Sequence, residues 1–473
     1  VSSPELNEKG EVERNTDGPK LFTATKSIRV DNSAASGVSS GGGGGGGGGR
    51  SNTTPSAATN TSPPVATSAP SLQSVVKQGQ AVKAVPTAVA LNNNVQSLTV
   101  DDADLQATVT AAGSSPTAIV LSATSQAGQT TKASLTSSQL ATLGKAVAGS
   151  SLIVSNTGSS LALPVSALKN APEGASIEVV ISSQAEASGT FTSKLKGSNV
   201  IGTPVGFEVN VVTGGKNQPL KVAPGQFISR SFTVPGQIDP NTAGVLYTAN
   251  GNVYPVPSVF TKQADGSTII KVSRPGFSTY AAATRPVSFE DISSSYAQSE
   301  IRSLANKLLI NGTTDTTFSP KQNVTRAEFA ALITRALGLT PGTAAPFSDI
   351  PAGSWYSGDV AAAYEAGLIT GRNNDKFDPQ ANISRQEIAV VLGKAVDLLQ
   401  IKTATDGPAR TPYHDTSSFA GYAKDSIEKV SAAGIINGAT IKGSSYFQPN
   451  APTTREASAK VLHVLLQKAA LIN

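Results

Sequence analysis

The chain contains no cysteine and no methionine, and only two histidines. Without cysteine it can form neither disulfide bonds nor thiolate metal sites. Both histidines, His414 and His463, lie near the C-terminal end, so a Ser-His-Asp or Cys-His catalytic site is excluded from the middle of the chain. We therefore expect a protein that is not an enzyme, with no catalytic residues, no metal and no cofactor.

Long apolar runs and clustered charge are also absent. No run of about 18 apolar residues could cross a membrane. The net charge of +5 is scattered along the first part of the chain, and positive and negative residues balance from Val287 onward. Because nucleic-acid binders present a basic face or stripe, we expect neither a nucleic-acid partner nor a membrane span. Position 1 is valine, so we expect a processed or excised chain.

Composition divides the chain into three regions. Residues 1–80 are polar and include nine consecutive glycines followed by a Ser/Thr/Pro tract, which predicts a disordered low-complexity linker. Residues 81–286 contain short β-type runs separated by Gly, Asn and Pro. This pattern predicts one or two β-rich spacer modules, mostly antiparallel with minor helix.

Three local patterns in the β-rich region give specific predictions. Residues 107–110 read as a strand. Thr136 and Gln139 form a capping box that predicts a helix ending at Gly149. The clustered carboxylates of Asp101, Asp102 and Asp104 predict a solvated turn, with a weak calcium site or a catalytic acid/base pair as the alternatives.

From residue 287 the apolar period becomes helical, and one unit recurs at 287–340, 345–400 and 411–473. In each unit we predict a first helix ending on a C-cap glycine, then an aromatic-x-Pro triplet, then a second helix. The glycines are Gly312, Gly371 and Gly438. The predicted N-caps of the second helices are Thr325, Ser384 and Thr454, and Glu328 and Glu387 complete capping boxes. Because one unit cannot bury its apolar stripe alone, we predict a pseudo-threefold bundle.

These units resemble the S-layer homology (SLH) domain, through the aromatic-x-Asp start, the stretch Ala366–Gly371, the aromatic-x-Pro triplets and the Thr325–Glu328 box. The resemblance implies a three-pronged pseudo-trimer that binds secondary cell-wall polymers, often with pyruvylated N-acetylmannosamine, in grooves between the prongs. The predicted fold class is therefore multidomain: a C-terminal all-α, three-repeat SLH bundle, preceded by the β-rich region and the disordered N-terminal linker.

The candidate ligand residues recur at equivalent places in the three units. An arginine at the first position of a helix lies beside free N–H groups and the positive end of the helix dipole, a suitable place for a carboxylate on a sugar. These arginines are Arg326, Arg385 and Arg455. We expect aromatic rings to stack on the sugar, aspartates to bond its hydroxyls or orient the arginines, and the glycines named above to let the backbone approach the ligand. The aromatic residues are Tyr296, Trp355 and Tyr422, and the aspartates are Asp291, Asp349 and Asp415.

Each of these assignments has a structural alternative. The arginines could pair with glutamate and lock one repeat to the next, the aspartates could only cap helices, and Trp355 could fill the core. The third repeat departs most from the pattern, since it reads Thr-Arg-Glu-Ala and has a three-residue insertion within residues 439–445. We therefore expect ligand beside Arg326 or Arg385 before Arg455.

The resulting functional prediction is an extracellular, non-covalent anchor in the cell wall or S-layer of a Gram-positive bacterium. Its expected partners are a secondary cell-wall polymer or a peptidoglycan-linked glycan, together with other copies in a surface lattice. Two alternatives stay open: a surface glycan-active enzyme whose catalytic part lies upstream or is missing, and an adhesin or assembly subunit.

Overall fold

The computed structural model describes residues 69–195, 197–372, 375–402 and 413–473. Residues 1–68 of the predicted linker lie outside the described residues. The end of that predicted linker instead contains helix α1 (Pro70–Val75), with Leu72 and Val75 fully buried. These two side chains pack against strand residues of the β-rich region, so the folded region begins before residue 81.

Two large sheets make up the β-rich region. One has the strand order β1-β4-β6-β7-β11-β15-β14, and the other β13-β12-β16-β9-β8-β5-β3-β2, with β10 paired to β9. In chain order the strands are β1 (Ala81–Ala84), β2 (Thr87–Asn92), β3 (Val95–Val100), β4 (Thr117–Ser122), β5 (Thr130–Leu135), β6 (Ser151–Ser155), β7 (Ser159–Pro164), β8 (Ser176–Ser183), β9 (Asn199–Thr213), β10 (Lys216–Pro219), β11 (Ile228–Val234), β12 (Gly244–Ala249), β13 (Asn252–Val256), β14 (Ser258–Lys262), β15 (Thr268–Arg274) and β16 (Ser278–Thr284).

The two sheets share one core. Apolar side chains from both, such as Ile119 and Phe232 from the first and Ile177 and Phe207 from the second, belong to a single buried cluster. Most neighbouring strands are antiparallel, and the parallel pairs are β1–β4, β4–β6 and β3–β5. The β-rich prediction for this region is confirmed.

Several helices interrupt the strands: α2 (Asp102–Ala112), α3 (Ser137–Leu143), α4 (Val165–Leu168) and α5 (Ser188–Lys194). The predicted strand at 107–110 is wrong, because these residues lie inside α2, where Leu105 and Val109 are buried at helical spacing. The Asp101 side chain caps α2 by accepting from the Ala103 N–H. Helix α3 begins with the predicted capping box but ends at Leu143, six residues before the predicted end at Gly149.

The C-terminal region contains two helices per repeat, and their apolar faces form one core cluster running from Phe289 to Ile472. The helices are α6 (Gln298–Asn306), α7 (Arg326–Ala336), α8 (Ser357–Glu365), α9 (Arg385–Leu398), α10 (Lys424–Ala432) and α11 (Arg455–Lys468). Short 3-10 segments cover Glu290–Ile292, Thr416–Ser418 and Gly421–Ala423. Among the described residues, no helix is both long and apolar enough to cross a bilayer.

The predicted fold class is wrong in assigning an all-α C-terminal bundle. The insertion in the third repeat forms a hairpin of β17 (Ala439–Ile441) and β18 (Ser444–Tyr446). Lys442 and Gly443 have φ angles of 49° and 81°, as a two-residue hairpin turn requires. Isolated β-bridges also join the repeats, between Asn323 and Thr454, Thr325 and Asn382, and Ser384 and Pro452. Helical periodicity could not reveal these extended segments, because each is only a few residues long.

The three repeats contact one another in a closed cycle. The N–H of Arg326 donates to Ala381 O at 2.9 Å, and that of Arg385 donates to Ala451 O at 3.0 Å. The N–H of Arg455 returns to the first repeat, donating to Gln322 O at 2.8 Å. The first turn of each second helix is therefore held by the loop of the next repeat.

Polar contacts also fix the β-rich region against the C-terminal repeats. The Tyr247 hydroxyl donates to Leu339 O at 3.1 Å, and Arg274 Nε donates to Gly338 O at 2.8 Å. The Lys307 ammonium, on a side chain only 1% exposed, donates to Pro240 O at 2.7 Å. The candidate ligand residues are thus carried on a region that is packed against the β-rich part.

Candidate functional site

The three helix-start arginines make the same contacts with the following repeat. Each Nε donates to the carbonyl of the aromatic residue in the next aromatic-x-Pro triplet, and each Nη2 donates to the carbonyl just before the repeat glycine. For Arg326 these acceptors are Phe377 O at 2.8 Å and Thr370 O at 3.2 Å. The remaining pairs are Arg385 with Phe447 and Asn437, and Arg455 with Phe318 and Asn311.

Each guanidinium also lies over the aromatic ring whose carbonyl it binds. The distances from Cζ to the ring centroid are 4.6 Å for Arg326, 5.2 Å for Arg385 and 4.5 Å for Arg455. Burial lowers the pKa of all three guanidinium groups, yet they keep their charge at neutral pH because the ordinary pKa of arginine lies far above neutrality. These contacts favour the alternative in which the arginines lock one repeat to the next.

The three arginines differ in what their remaining donors meet. Nη1 of Arg326 forms an ion pair with Glu387 at 2.8 Å. Arg385 and Arg455 have no carboxylate within ion-pair distance among the described residues, and in the third repeat Ala457 stands where Glu387 stands in the second. Of the three arginines, Arg326 therefore makes the most polar contacts that hold one repeat to the next.

The three aspartates hold the turns of their own repeats. Asp291 accepts from the N–H groups of Phe318 and Ser319 at 2.8 and 2.7 Å. Asp349 and Asp415 repeat this geometry with the next two triplets. The middle residue of each triplet has a left-handed φ, 57° at Ser319, which the paired N–H bonds stabilise. The carboxylates therefore position the carbonyls that the arginines bind.

The three glycines do not end the first helices, which stop six residues earlier. The residues with left-handed φ just past those helices are Leu308, Gly367 and Gly434. A Cβ at Gly371 would lie 2.8 Å from Lys376 O, and one at Gly438 would lie 2.7 Å from Tyr446 O. A Cβ at Gly312 would collide with Thr314 O and Thr317 O. Crowding by the repeat's own loop accounts for these glycines.

The three predicted stacking residues are exposed side chains. Tyr296 is 58% exposed, Trp355 62% and Tyr422 65%, values that are high for large aromatic residues on a folded domain. The ammonium groups of Lys321 and Lys460 lie 5.5 and 5.6 Å from the Tyr296 ring centroid. The structural alternative for Trp355, core filling, does not agree with its exposure.

One groove brings several of these features together, and we call it the Arg326 groove. Its volume is about 440 Å³, and its lining includes Arg326, Arg372, Glu387, Lys394 and Tyr422. The side chains come from all three repeats, with an apolar floor between α7 and α9. An amphipathic groove with an exposed ring at its rim can receive a pyranose ring that carries a charged substituent.

The charge balance of the Arg326 groove favours an anion. Burial raises the pKa of Glu387, but hydrogen bonds from Ser384 and Arg372 outweigh it and hold that pKa below its usual value. The ionised carboxylate is shared between Arg326 and Arg372, each at 2.8 Å. Lys394 is half-buried, and burial lowers its pKa without an opposing carboxylate within ion-pair distance in the described ranges. Among the lining side chains three cations face one carboxylate, and Asp378 beside the groove pairs with Arg372 at 3.4 Å, which leaves one positive charge in excess.

Arg372 and Lys394 were not among the predicted site residues. Arg372 directly follows Gly371, where the other repeats have Thr313 and Ala439. Its departure from the repeat pattern was a usable signal. Lys394 lies in the middle of α9, and only the packing of that helix against α10 and the first repeat shows that it faces the groove.

The two histidines lie outside this groove. His414 packs against the Tyr446 ring at a centroid distance of 5.6 Å. His463 Nε2 lies 3.2 Å from the Ser303 hydroxyl, and burial lowers its pKa. No group of His, Asp and Glu side chains with a metal-binding arrangement is found in the described part of the chain.

Comparison with known proteins finds a family model that matches all three repeats. The family model described as "S-layer homology domain" matches residues 288–330, 346–389 and 412–457. An endoglucanase of Bacillus sp. is 38% identical over 184 residues, which are 38% of this chain and 19% of that protein. The surface-layer 125 kDa protein of Lysinibacillus sphaericus is 32% identical over 181 residues, 38% of this chain and 15% of that protein.

A further relative is the S-layer protein EA1 of Bacillus anthracis, 28% identical over 178 residues, or 37% of this chain and 20% of that protein. The chain thus spans a fifth or less of the length of these curated relatives. The matched length is about that of the three repeats together. The names of the relatives indicate different functions, one an enzyme and two surface-layer proteins.

Proposed function

Because the chain carries three S-layer homology domains, a set that indicates a place at the surface of a Gram-positive cell, we propose that they bind an acidic wall polysaccharide and so anchor the protein without a covalent bond. The observation that carries the proposal is the Arg326 groove, where an exposed Tyr422 stands beside an excess of cations. The bound unit would be a sugar with a carboxylate, ketal-linked pyruvate or phosphate substituent.

The roles within the groove follow from which donors are already used. The Arg326 guanidinium already donates to two carbonyls and to Glu387, so this residue holds the shape of the groove. Lys394, which has no ion-pair partner among the described residues, is placed to meet the anionic substituent, while the Tyr422 ring stacks on the sugar face. Arg372 already donates to Glu387 and Asp378, so it adds positive charge at the rim of the groove. Because exposed ionic contacts are screened by salt, binding should weaken as ionic strength rises.

Binding at all three arginine positions would give multivalent attachment. A polymer held at two grooves dissociates far more slowly than one held at a single groove, because the second contact is intramolecular. The three positions are unequal, since Ala457 stands where Glu387 pairs with Arg326, and the third repeat also carries the hairpin insertion. We therefore expect the Arg326 groove to contribute most of the affinity.

The test is sedimentation of the full chain with purified cell walls, native and stripped of secondary polymer. Native walls should remove the protein from solution and stripped walls should not; equal removal by both would refute the polymer as ligand and favour peptidoglycan. Lys394→Gln and Arg372→Gln should each weaken binding about tenfold or more. Lys216→Gln, the same charge change on the exposed strand β10, is the matched control and should bind like wild type.

We propose that the chain itself acts by binding without turnover, although relatives named as an endoglucanase and an amylopullulanase favour a second candidate. In that candidate, a glycan-degrading part outside this sequence would be carried by the same anchor. Release of reducing sugars from wall polysaccharide by the purified full chain would contradict the non-catalytic proposal. Binding with no release at equal protein and substrate loading would support it.

A further inference from the structure

The ends of the two large sheets differ in how their outer strands are protected. Edge strands offer unpaired N–H and C=O groups, which proteins usually block with proline, lysine, short length or a covering segment. On β14, the Asn473 side chain donates to Phe260 O and accepts from Phe260 N, both at 2.9 Å. On β13, Pro255 interrupts the row of donors, and β1 has four residues with Lys83 among them.

Strand β2 has none of these devices. Its sequence, Thr-Ala-Val-Ala-Leu-Asn, contains no charge and no proline, and it forms the end of its sheet beside β3. Ala88, Ala90 and Asn92 are exposed, and Leu91 is 61% exposed. Within the described residues, no segment other than β3 is paired with it.

The turn after β2 fixes which main-chain groups point outward. Asn93 and Asn94 have φ angles of 46° and 66°, and Asn92 is paired with Val95, which defines a two-residue hairpin. The pair that closes such a hairpin is hydrogen-bonded, and bonded pairs alternate along the strand. The N–H and C=O groups of Leu91, Val89 and Thr87 therefore face away from β3.

We propose that this edge pairs antiparallel with the same edge of a second copy of the chain, about a two-fold axis at Val89. In that register Leu91 lies opposite Thr87 and Val89 opposite its symmetry mate, giving about six hydrogen bonds from the outward-facing groups. Because β2 is uncharged, the pairing places no like charges together. The two nine-stranded sheets would become one continuous sheet.

The second copy is favoured as occupant because the edge is complementary to itself. A two-fold contact uses one patch twice and requires no other feature of the surface. The paired area is small compared with stable dimer interfaces, so we expect weak association in dilute solution. Copies held close together on one surface would associate at much lower total amounts. The inference does not depend on wall binding, and each can fail without the other.

The decisive variant is Leu91→Pro, since it removes an outward-facing N–H and leaves the bonds to β3 intact. Leu91→Ala is the matched control, which shortens the side chain to a similar degree and keeps the N–H. In sedimentation velocity of the full chain over a concentration series, Leu91→Pro should lower the association constant at least tenfold. Leu91→Ala should stay within about threefold of wild type, and both should melt like wild type.

The pairing geometry can be measured because the chain has no cysteine. Ala90→Cys allows one spin label per chain, and in the proposed register the two Ala90 positions lie diagonally across the contact, about 7–8 Å apart. A dipolar distance in that range before label length is added supports the register. A wild-type chain that stays monomeric at every concentration overturns the proposal. So does association that Leu91→Pro leaves unchanged, or slow amide exchange at Val89 in the monomer, which would show another segment on this edge.

Discussion

Replacing Arg326 with alanine should destabilise the C-terminal repeats more than the same replacement at Arg385 or Arg455. The Arg326 guanidinium bonds two carbonyls and the Glu387 carboxylate, whereas each of the other two bonds carbonyls alone. Arg326 is also 8% exposed, so water cannot replace these partners in the folded chain without rearrangement.

The expected magnitude follows from the lost contacts. A hydrogen bond to a charged group contributes about 1.5–3 kcal/mol, and a buried acceptor left without a donor costs a further fraction of that. Glu387 keeps its bonds from Arg372 and Ser384, which limits the penalty on its side. We therefore expect a loss of about 3–5 kcal/mol for Arg326→Ala and about 2–3 kcal/mol for Arg385→Ala.

The measurement is urea unfolding of the full chain at neutral pH, followed by circular dichroism at a helix-sensitive wavelength. Arg326→Lys is the informative control, because a lysine keeps the charge and loses the fork that reaches three acceptors. It should recover less than half of the lost stability. A loss below about 1 kcal/mol for Arg326→Ala would refute the view that this side chain holds two repeats together.

Three further predictions concern single residues. Burial raises the pKa of Asp359 to about 6, so its protonated form stabilises the folded chain below pH 4, and this stability is lost as the pH rises through 6. The free energy of unfolding of Asp359→Asn, measured relative to that of wild type, should therefore increase by about 2–3 kcal/mol between pH 4 and 7. Burial lowers the pKa of Lys307 to about 8, so the folded chain becomes more stable as this side chain loses its charge at higher pH. The free energy of unfolding of wild type, relative to that of Lys307→Met, should increase by about 2–3 kcal/mol between pH 7 and 10.5, and a difference that does not change with pH would contradict this. Gly312→Ala should cost about 2–4 kcal/mol in urea unfolding, while Gly421→Ala, where no atom lies within 4 Å of the added Cβ, should cost much less.

The second helices of the repeats could be predicted closely from the sequence. Their start is encoded locally, since a hydroxyl side chain followed three residues later by glutamate satisfies two N–H groups at once. The structure shows this box at Thr325 with Glu328 and at Ser384 with Glu387, and Thr454 caps α11 through the Ala457 N–H. The strands of the β-rich region were also visible, because alternation over several residues is a local signal.

Non-local packing explains what the sequence did not reveal. Residues 107–110 have strand composition but lie in α2, since the burial of Leu105 and Val109 outweighs β-propensity. The repeat glycines align in sequence because of carbonyls that approach them from the following loop, and helix-capping rules cannot anticipate that contact. Arg372 departs visibly from the repeat pattern, but Lys394 joins it in one groove only when α9 packs against its neighbours, a contact that has no local sequence signal.

The return of Arg455 to Gln322 limits how many units the arrangement can hold. In a solenoid each unit contacts only its neighbours in sequence, and further units can be added at either end. Here the first turn of α11 fills the place on the first repeat that a preceding unit would otherwise use, so among the described residues each repeat already accepts one such bond. Duplication of one unit would thus have to break an existing contact between repeats before it could make a new one.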